Sequence, residues 1–411
     1  AGCATIDPPR LEVLIVTPHP DSRWTAGRSL LWFLSLAVPA ASGLPVPVFA
    51  QGPLQAVLVS HRVTNATDTP AEQVRAACIL PVTNRYQEIV DLQIDPEPID
   101  TREDAQGQRI ITVPLGDIPP GQTRAVRVLI WMRPRAVRVN LLGTGGPPAT
   151  LPADVEAAQL SDGRLLQLNK VRPLAEKQAG DASRDLDRAR KAFDYMTSSC
   201  VYDIDGEFKT ADKVLAGAPS SCSELAYAYV AMCRSLGIPA RIVSAYVNRE
   251  GTAPSTDWRT HRWVEFFTKE HGWVPADPTN RINDASKTFF GHQEGRYLTI
   301  VDGGVPSDDG PDPGWKVFIA GSAVTGDRQL VLSRSAVWRV SAQRRREVEL
   351  FQQACTALRS DDLEARRQAV TDWTRQREVM THGYLLEALF DSDLEIRKTA
   401  AVALGKSRDQ S

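Results

Sequence analysis

Cys222, His261 and Asp277 are the residues whose types and spacing could do chemistry. Cys222 stands where Ser220-Ser221 turns into an apolar run ending at Leu236. Leu225, Ala226, Tyr229, Val230 and Cys233 share one face of this predicted helix, which Gly237-Ile238-Pro239 closes. A sulfur at a helix N-terminus faces unpaired backbone N–H groups and the positive dipole end, which favours the nucleophilic thiolate. Cys233, about three turns further along the same face, has no such help and reads as core packing. His261 opens a β segment, and Trp273 to Asp277 returns beside it across Thr268 to Gly272. A turn centred near Lys269 or Glu270 pairs residues whose numbers sum to about 538–540. That brings Asp277 beside His261, close enough to orient an imidazole. If the Cys222 helix packs on this hairpin, nucleophile, base and orienter fall in line for acyl transfer through a thioester.

The chain that must position them has 411 residues, as a prior two or three domains. Apolar residues at 42% and charged residues at 24% exclude wholesale disorder. Lys plus Arg (48) nearly cancels Asp plus Glu (50), so a net charge of −2 with no basic run offers no footprint for nucleic acid. The absence of a second long apolar stretch excludes a polytopic membrane protein. Six cysteines are too few for a disulfide scaffold. His271 and His292 lack metal-ligand spacing to another His or Cys, and no loop has EF-hand spacing, so no metal or other cofactor is expected.

Residues 1–50 read as an export segment. Arg23 and Arg28 precede the apolar run Ser29 to Ser42, and Val48-Phe49-Ala50 gives a small-x-small exit before Gln51. The expected location is therefore exported, periplasmic or extracellular, with membrane contact only through this segment. Residues 51–150 predict a small β-sandwich, from short strands (Leu54 to Val59, Ala76 to Leu80, Arg109 to Val113, Arg124 to Ile130) separated by turns such as Asp104-Ala105-Gln106-Gly107 and Pro119-Pro120-Gly121. Arg124 and Arg127 stand out among the apolar positions of the last strand. Residues 151–180 read as a linker. Residues 181–340 form the domain with the three chemical residues. Its helices are Asp181 to Met196 and the Cys222 helix; its sheet comprises Ala240 to Val247, His261 to Phe267 and Trp273 to Asp277, completed by Arg296 to Val301, Trp315 to Ala320 and Gln329 to Val340. In residues 341–411, Asp362-Leu363-Glu364-Ala365-Arg366 recurs as Asp393-Leu394-Glu395-Ile396-Arg397, 31 positions on. That period resembles HEAT-type helical repeats, which offer a docking surface for a protein partner.

SSCSELAYAYVAMCRSLGIPARIVSAYV, from Ser220, followed by HRWVEFFTKEHGWVPADPT, from His261, resembles the transglutaminase-like superfamily of papain-related enzymes. The family's Gly-Ile-Pro-Ala-Arg is met by Gly237 to Arg241, and its His-x-Trp-x-Glu by His261, Trp263 and Glu265. Its Gly-Trp-x-x-x-Asp-Pro-Thr is met by Gly272, Trp273, Asp277, Pro278 and Thr279. The resemblance implies an α+β fold with a papain/transglutaminase-like core, and Cys222, His261 and Asp277 as the catalytic triad. Tyr202 is the side-chain candidate for an oxyanion donor, beside the backbone N–H of Cys222. Trp263 and Trp273 are expected as core or pocket wall. The implied substrate is a protein or peptide, whose carboxamide or peptide bond is hydrolysed or transferred to an amine. The alternative is a catalytically silent envelope protein that uses the same fold for binding. One departure favours it: the family usually has Gly shortly before the Cys, where this chain has Ser220 and Ser221. A side chain there either narrows the approach to the sulfur or reshapes the loop.

Overall fold

The computed structural model describes residues 52–103, 108–142, 148–204, 209–249, 255–258, 260–304, 319–320, 330–341, 343–376 and 379–408. The expected export segment 1–50, the turn 104–107 and Trp315 lie outside them. Strands β1 (Gln55–Asn65), β2 (Ala71–Leu80), β3 (Gln87–Asp95), β4 (Asp100–Glu103), β5 (Arg109–Ile118), β6 (Thr123–Pro134) and β7 (Val137–Arg138) come first. Helices α1 (Ala153–Leu160), α2 (Leu168–Ala179), α3 (Asp185–Ser199), α4 (Ala211–Leu215) and α5 (Cys222–Ser235) follow. Next are β8 (Ala240–Val247), β9 (Ser255–Asp257), β10 (His261–Thr268), β11 (Gly272–Ala276), α6 (Pro278–Asn283), β12 (His292–Gln293), β13 (Tyr297–Gly304), β14 (Ile319–Ala320) and β15 (Leu330–Val340). Helices α7 (Arg344–Arg359), α8 (Leu363–Arg375), α9 (Val379–Ala388) and α10 (Leu394–Arg408) end the described chain.

Two antiparallel sheets, ordered β3-β6-β1-β15-β9 and β14-β2-β5-β4, close on one apolar core. Strand β1 is buried on both faces, so its sequence lacks the alternation of a half-exposed strand. Val57, Val59 and Val63 point into the two-sheet core, whereas Ala56 and Leu58 point outward beneath the C-terminal helices. The sequence assigns Gln329 to Val340 to the sheet of the Cys222 domain, but the structure pairs β15 with β1, from Gln55 opposite Val340 to Asn65 opposite Leu330. β15 suits that central place because Ala336 and Trp338 join the two-sheet core while Val337 faces the helices. β14 likewise pairs with β2.

The sheet that carries His261 is ordered β11-β10-β8-β13. Helix α5 is buried from Ser223 to Ser235. An apolar face on every side marks a helix at the centre of a domain, and α2, α3 and α4 surround α5 on the side away from β10. Residues 151–180, read as a linker, hold α1 and α2. Val171, Ala175 and Ala179 recur every four residues along α2 and are buried in the same core as α5. Tyr246, Leu298 and Ile300 carry the back of this sheet into the two-sheet core. There the Gln87 side-chain amide exchanges two hydrogen bonds with the Thr299 backbone, at 2.8 and 2.7 Å.

Helices α7 to α10 cover the outer face of the larger sheet, where Ala56, Leu58, Leu129, Trp131 and Val337 meet Phe351, Tyr384 and Leu385. Trp131 Nε1 donates to Glu347 Oε2 at 2.6 Å. The repeated Asp-Leu-Glu segments start α8 and α10: Asp362 accepts from the Glu364 N–H at 2.9 Å and Asp393 from the Ile396 N–H at 3.0 Å. Among the described residues no helix is long and apolar enough to cross a membrane.

Candidate active site

The loop before α5 is tied down on both sides of Ser220, whose N–H donates to Val201 O and whose O accepts from Asp203 N–H, each at 3.0 Å. Ser220 Oγ donates to Ala218 O at 2.7 Å. Ser221 is the N-cap, and its N–H donates to Glu224 Oε2 at 2.8 Å, the Ser-x-x-Glu pattern of a capping box. The two serines thus anchor the loop and start the helix. Cys222 follows as the first helical residue, with its sulfur half-buried and 3.8 Å from Thr260 O. Tyr202 is half-buried, and its main chain pairs with Ser220, which sets its segment beside this loop.

Strands β10 and β11 pair Val264 with Ala276 and Thr268 with Gly272. Gly272 takes a φ of +66°, a left-handed turn conformation that suits glycine. In this register Asp277, just past the end of β11, stands opposite Trp263, and its carboxylate reaches diagonally to the next residue on that face, His261. The His261 Nε2–Asp277 Oδ2 distance is 2.7 Å. Asp277 is fully buried. It caps α6 through Oδ1, which accepts from the Asn280 N–H at 2.9 Å, while Oδ2 accepts from Asn280 Nδ2 at 2.7 Å and Gln293 Nε2 at 3.4 Å. The imidazole sits beside Trp263 and Tyr297, with ring centroids 6.2 and 5.9 Å away and interplanar angles of 29° and 25°, and these two rings pack on each other at 4.9 Å.

With Nε2 engaged by Asp277, Nδ1 is the ring nitrogen left to meet the sulfur. Burial alone would push the Cys222 thiol up. The hydrogen bond and charge of His261, then the charge and backbone N–H of Arg262, outweigh burial and hold the thiol below its ordinary value. For His261 the balance runs the other way in sign: burial pulls the imidazole down, but Asp277, by charge and hydrogen bond, and then Cys222 hold it well above. Both shifts favour a thiolate–imidazolium pair. Burial instead pushes the thiols of Cys78 and Cys233 up to about 12 and that of Cys200 to about 11, and it raises Cys355 as well. Among the described cysteines, Cys222 alone is lowered.

Sequence reasoning missed four residues. Arg262 is buried, donates from Nε to Ser244 Oγ at 3.1 Å, and hydrogen-bonds Ser223 Oγ in the first turn of α5. Its guanidinium therefore clamps the helix end to the sheet and sets a positive charge beside the sulfur. Asn280, Gln293 and Tyr297 fix the Asp–His pair, Tyr297 also accepting from Asn280 Nδ2 at 3.1 Å. Asn280 had a signal, because Asp277-Pro278-Thr279-Asn280 is helix-start chemistry. Trp263 borders the imidazole, as expected of a wall or core residue. Trp273 stands elsewhere, paired with Phe267, six residues along the strand from His261 or about 20 Å. There it lies under Arg241, 4.0 Å from guanidinium carbon to ring centroid. Glu265 ties this end to Arg241 and, at 3.2 Å, to Arg85 of the two-sheet unit.

Residues 172–278 match the sequence model of the transglutaminase-like superfamily. The chain carries a transglutaminase-like domain. The match runs from within α2 to the first residue of α6 and so takes in Cys222, His261 and Asp277. The chain is 30% identical over 136 residues to the uncharacterized protein YebA of Bacillus subtilis, covering 29% of this chain and 18% of the relative. It is 33% identical over 66 residues to a protein-glutamine gamma-glutamyltransferase of Pseudomonas aeruginosa, covering 15% of this chain and 10% of that one. The chain thus spans less than a fifth of either relative. A solved structure of a candidate cysteine protease from Cytophaga hutchinsonii is 15% identical with a TM-score of 0.48, covering 71% of this chain and 100% of that one.

Proposed function

We propose that the transglutaminase-like domain is a cysteine enzyme that transfers an acyl group from a carboxamide or peptide bond through a thioester on Cys222. The observation that carries this reading is the 2.7 Å His261–Asp277 contact set against a lowered thiol at a helix N-terminus. The Cys222 thiolate attacks the carbonyl carbon and the oxygen takes up the electron pair. We assign the Cys222 backbone N–H as the donor for that oxyanion, with Tyr202 as the side-chain candidate. As the C–N bond breaks, the imidazolium gives its proton to the departing nitrogen, and Asp277 holds the ring and offsets its charge. Water or an amine then attacks the thioester, His261 takes the proton back, and the thiolate leaves. We assign the substrate to the protein or peptide class and the site of action to the exported compartment, supported by the family resemblance and the pattern of residues 1–50.

The test is to mix the protein with a glutamine peptide, with and without a lysine derivative, and to read acid-quenched mass spectra. An acyl mass on Cys222, discharged to a hydrolysed or amine-linked product and absent from Cys222→Ala, is the expected result. If Cys222 can be alkylated but takes no acyl group from glutamine or peptide donors, the reading fails.

A further inference from the structure

Away from Cys222, a cavity of about 450 Å³ opens where the start of β6 meets the loops α7–α8 and α9–α10. Its floor is ionic. Arg62 lies 2.5 Å and Arg127 3.5 Å from the buried Glu387 carboxylate, and Arg127 (3.2 Å) shares Asp95 with Arg359 (2.9 Å). The two buried guanidiniums, Arg62 and Arg127, thus face two buried carboxylates, and the half-exposed Arg359 joins Asp95 from the solvent side. Arg366 lines the same cavity and is matched by Asp391 at 3.0 Å. Arg124 meets only Gln122 Oε1 at 3.3 Å and Thr123 O at 3.4 Å, with no carboxylate among the described residues. Asp361 sits exposed at the rim. Counting all of these, five arginines stand against four acids.

The hydrogen bonds leave donors over. Arg62 and Arg127 are 0% and 6% exposed, yet Arg62 Nε and Nη1 and Arg127 Nε find no partner among the described residues. Buried donors are nearly always satisfied, and the half-buried Arg124 adds a positive charge at the cavity wall that no carboxylate among the described residues meets. Pro114, Leu115, Leu358 and Phe390 supply an apolar wall, and the volume lies in the range of small-molecule sites.

We propose that this cavity binds a small organic anion, with a carboxylate head on the Arg124–Arg127 side and an apolar body against Leu115, Leu358 and Phe390. A free organic acid and the C-terminus of a peptide share this chemistry. The experiment is calorimetry and thermal unfolding of the full chain with phenylacetate, with its neutral isostere phenylacetamide, and with a phenylalanine-ending peptide as free acid or amide. Phenylacetate should bind and raise the melting temperature with concentration, and phenylacetamide should not. A free-acid peptide that outcompetes phenylacetate, while its amide does not, identifies a chain end as the natural ligand. Arg124→Gln changes a half-buried side chain outside the ionic floor and should weaken acid binding about tenfold. Equal binding of acid and amide, no binding of either acid, or unaltered affinity in a folded Arg124→Gln protein would overturn the proposal.

Discussion

Replacing Arg262 with Met should raise the pH at which Cys222 becomes reactive, because it removes a buried positive charge from beside the sulfur and keeps the volume of the stem. The guanidinium is bonded to Ser223, the residue after Cys222. A charge bonded to the neighbouring residue acts within the roughly 4–6 Å over which a nearby charge shifts a thiol. At an effective dielectric of about 20 that attraction is about 3 kcal/mol, or about two pKa units. The sulfur is half-buried, so water screens part of it, and about one unit is the expected net rise. The assay is the second-order rate of iodoacetamide alkylation of Cys222 as a function of pH. The midpoint should move up about one unit and the limiting rate at high pH should stay the same, with Arg262→Lys recovering part of the shift. A folded Arg262→Met protein with an unmoved midpoint would refute the electrostatic role. A rate lowered equally at every pH would mean that Arg262 acts only as a clamp.

Two further outcomes follow from the buried carboxylates. Asp277→Asn should fold, since Asn280 and Gln293 can still bond the amide, but turnover should fall about 10³–10⁴-fold because the amide cannot offset an imidazolium; unchanged steady-state turnover in an active preparation would break the His261–Asp277 assignment. Glu387→Gln should lose about 3–5 kcal/mol in urea unfolding, because the buried Arg62 is left without a carboxylate and Arg127 with Asp95 alone. Burial opposes the Glu387 charge, but Arg62 and Arg127 hold its carboxyl below the ordinary value. Its contribution is therefore present above the unfolded value of about 4.3 and lost as pH falls through the lower folded one. Wild-type stability should drop in that acid window, and a variant that drops just as much would contradict this.

What was legible in the sequence was local. The helix start at Ser221-Cys222, its end at Gly237 and the β10–β11 hairpin all follow from neighbours along the chain, and together they bring His261 and Asp277 within reach. What was not legible needed partners far away in sequence. β15 looks like any apolar strand, and only packing on both faces shows that it belongs beside β1, where Val340 stands opposite Gln55, 285 residues earlier. Residues 168–179 carry few large apolar side chains, so the small buried face of α2 leaves no helical signature in the sequence. Trp273 and Trp263 look alike in sequence, yet a strand's length separates them. Nothing local marks Arg262, because its buried role depends on Ser223 and Ser244 of other elements.

The central claim is that Cys222 is a thiolate held by His261. It is tested most directly by alkylating the native protein with a limiting thiol reagent between pH 5 and 9 and mapping the label by mass spectrometry. Free thiols react with a midpoint of about 8.5. Cys222 should be labelled first and with a midpoint below that, while Cys78, Cys200, Cys233 and Cys355 stay unlabelled until unfolding. His261→Ala should move the Cys222 midpoint up toward the free-thiol value. Labelling of Cys222 at the free-thiol midpoint in the wild type, unmoved by His261→Ala, would contradict the account.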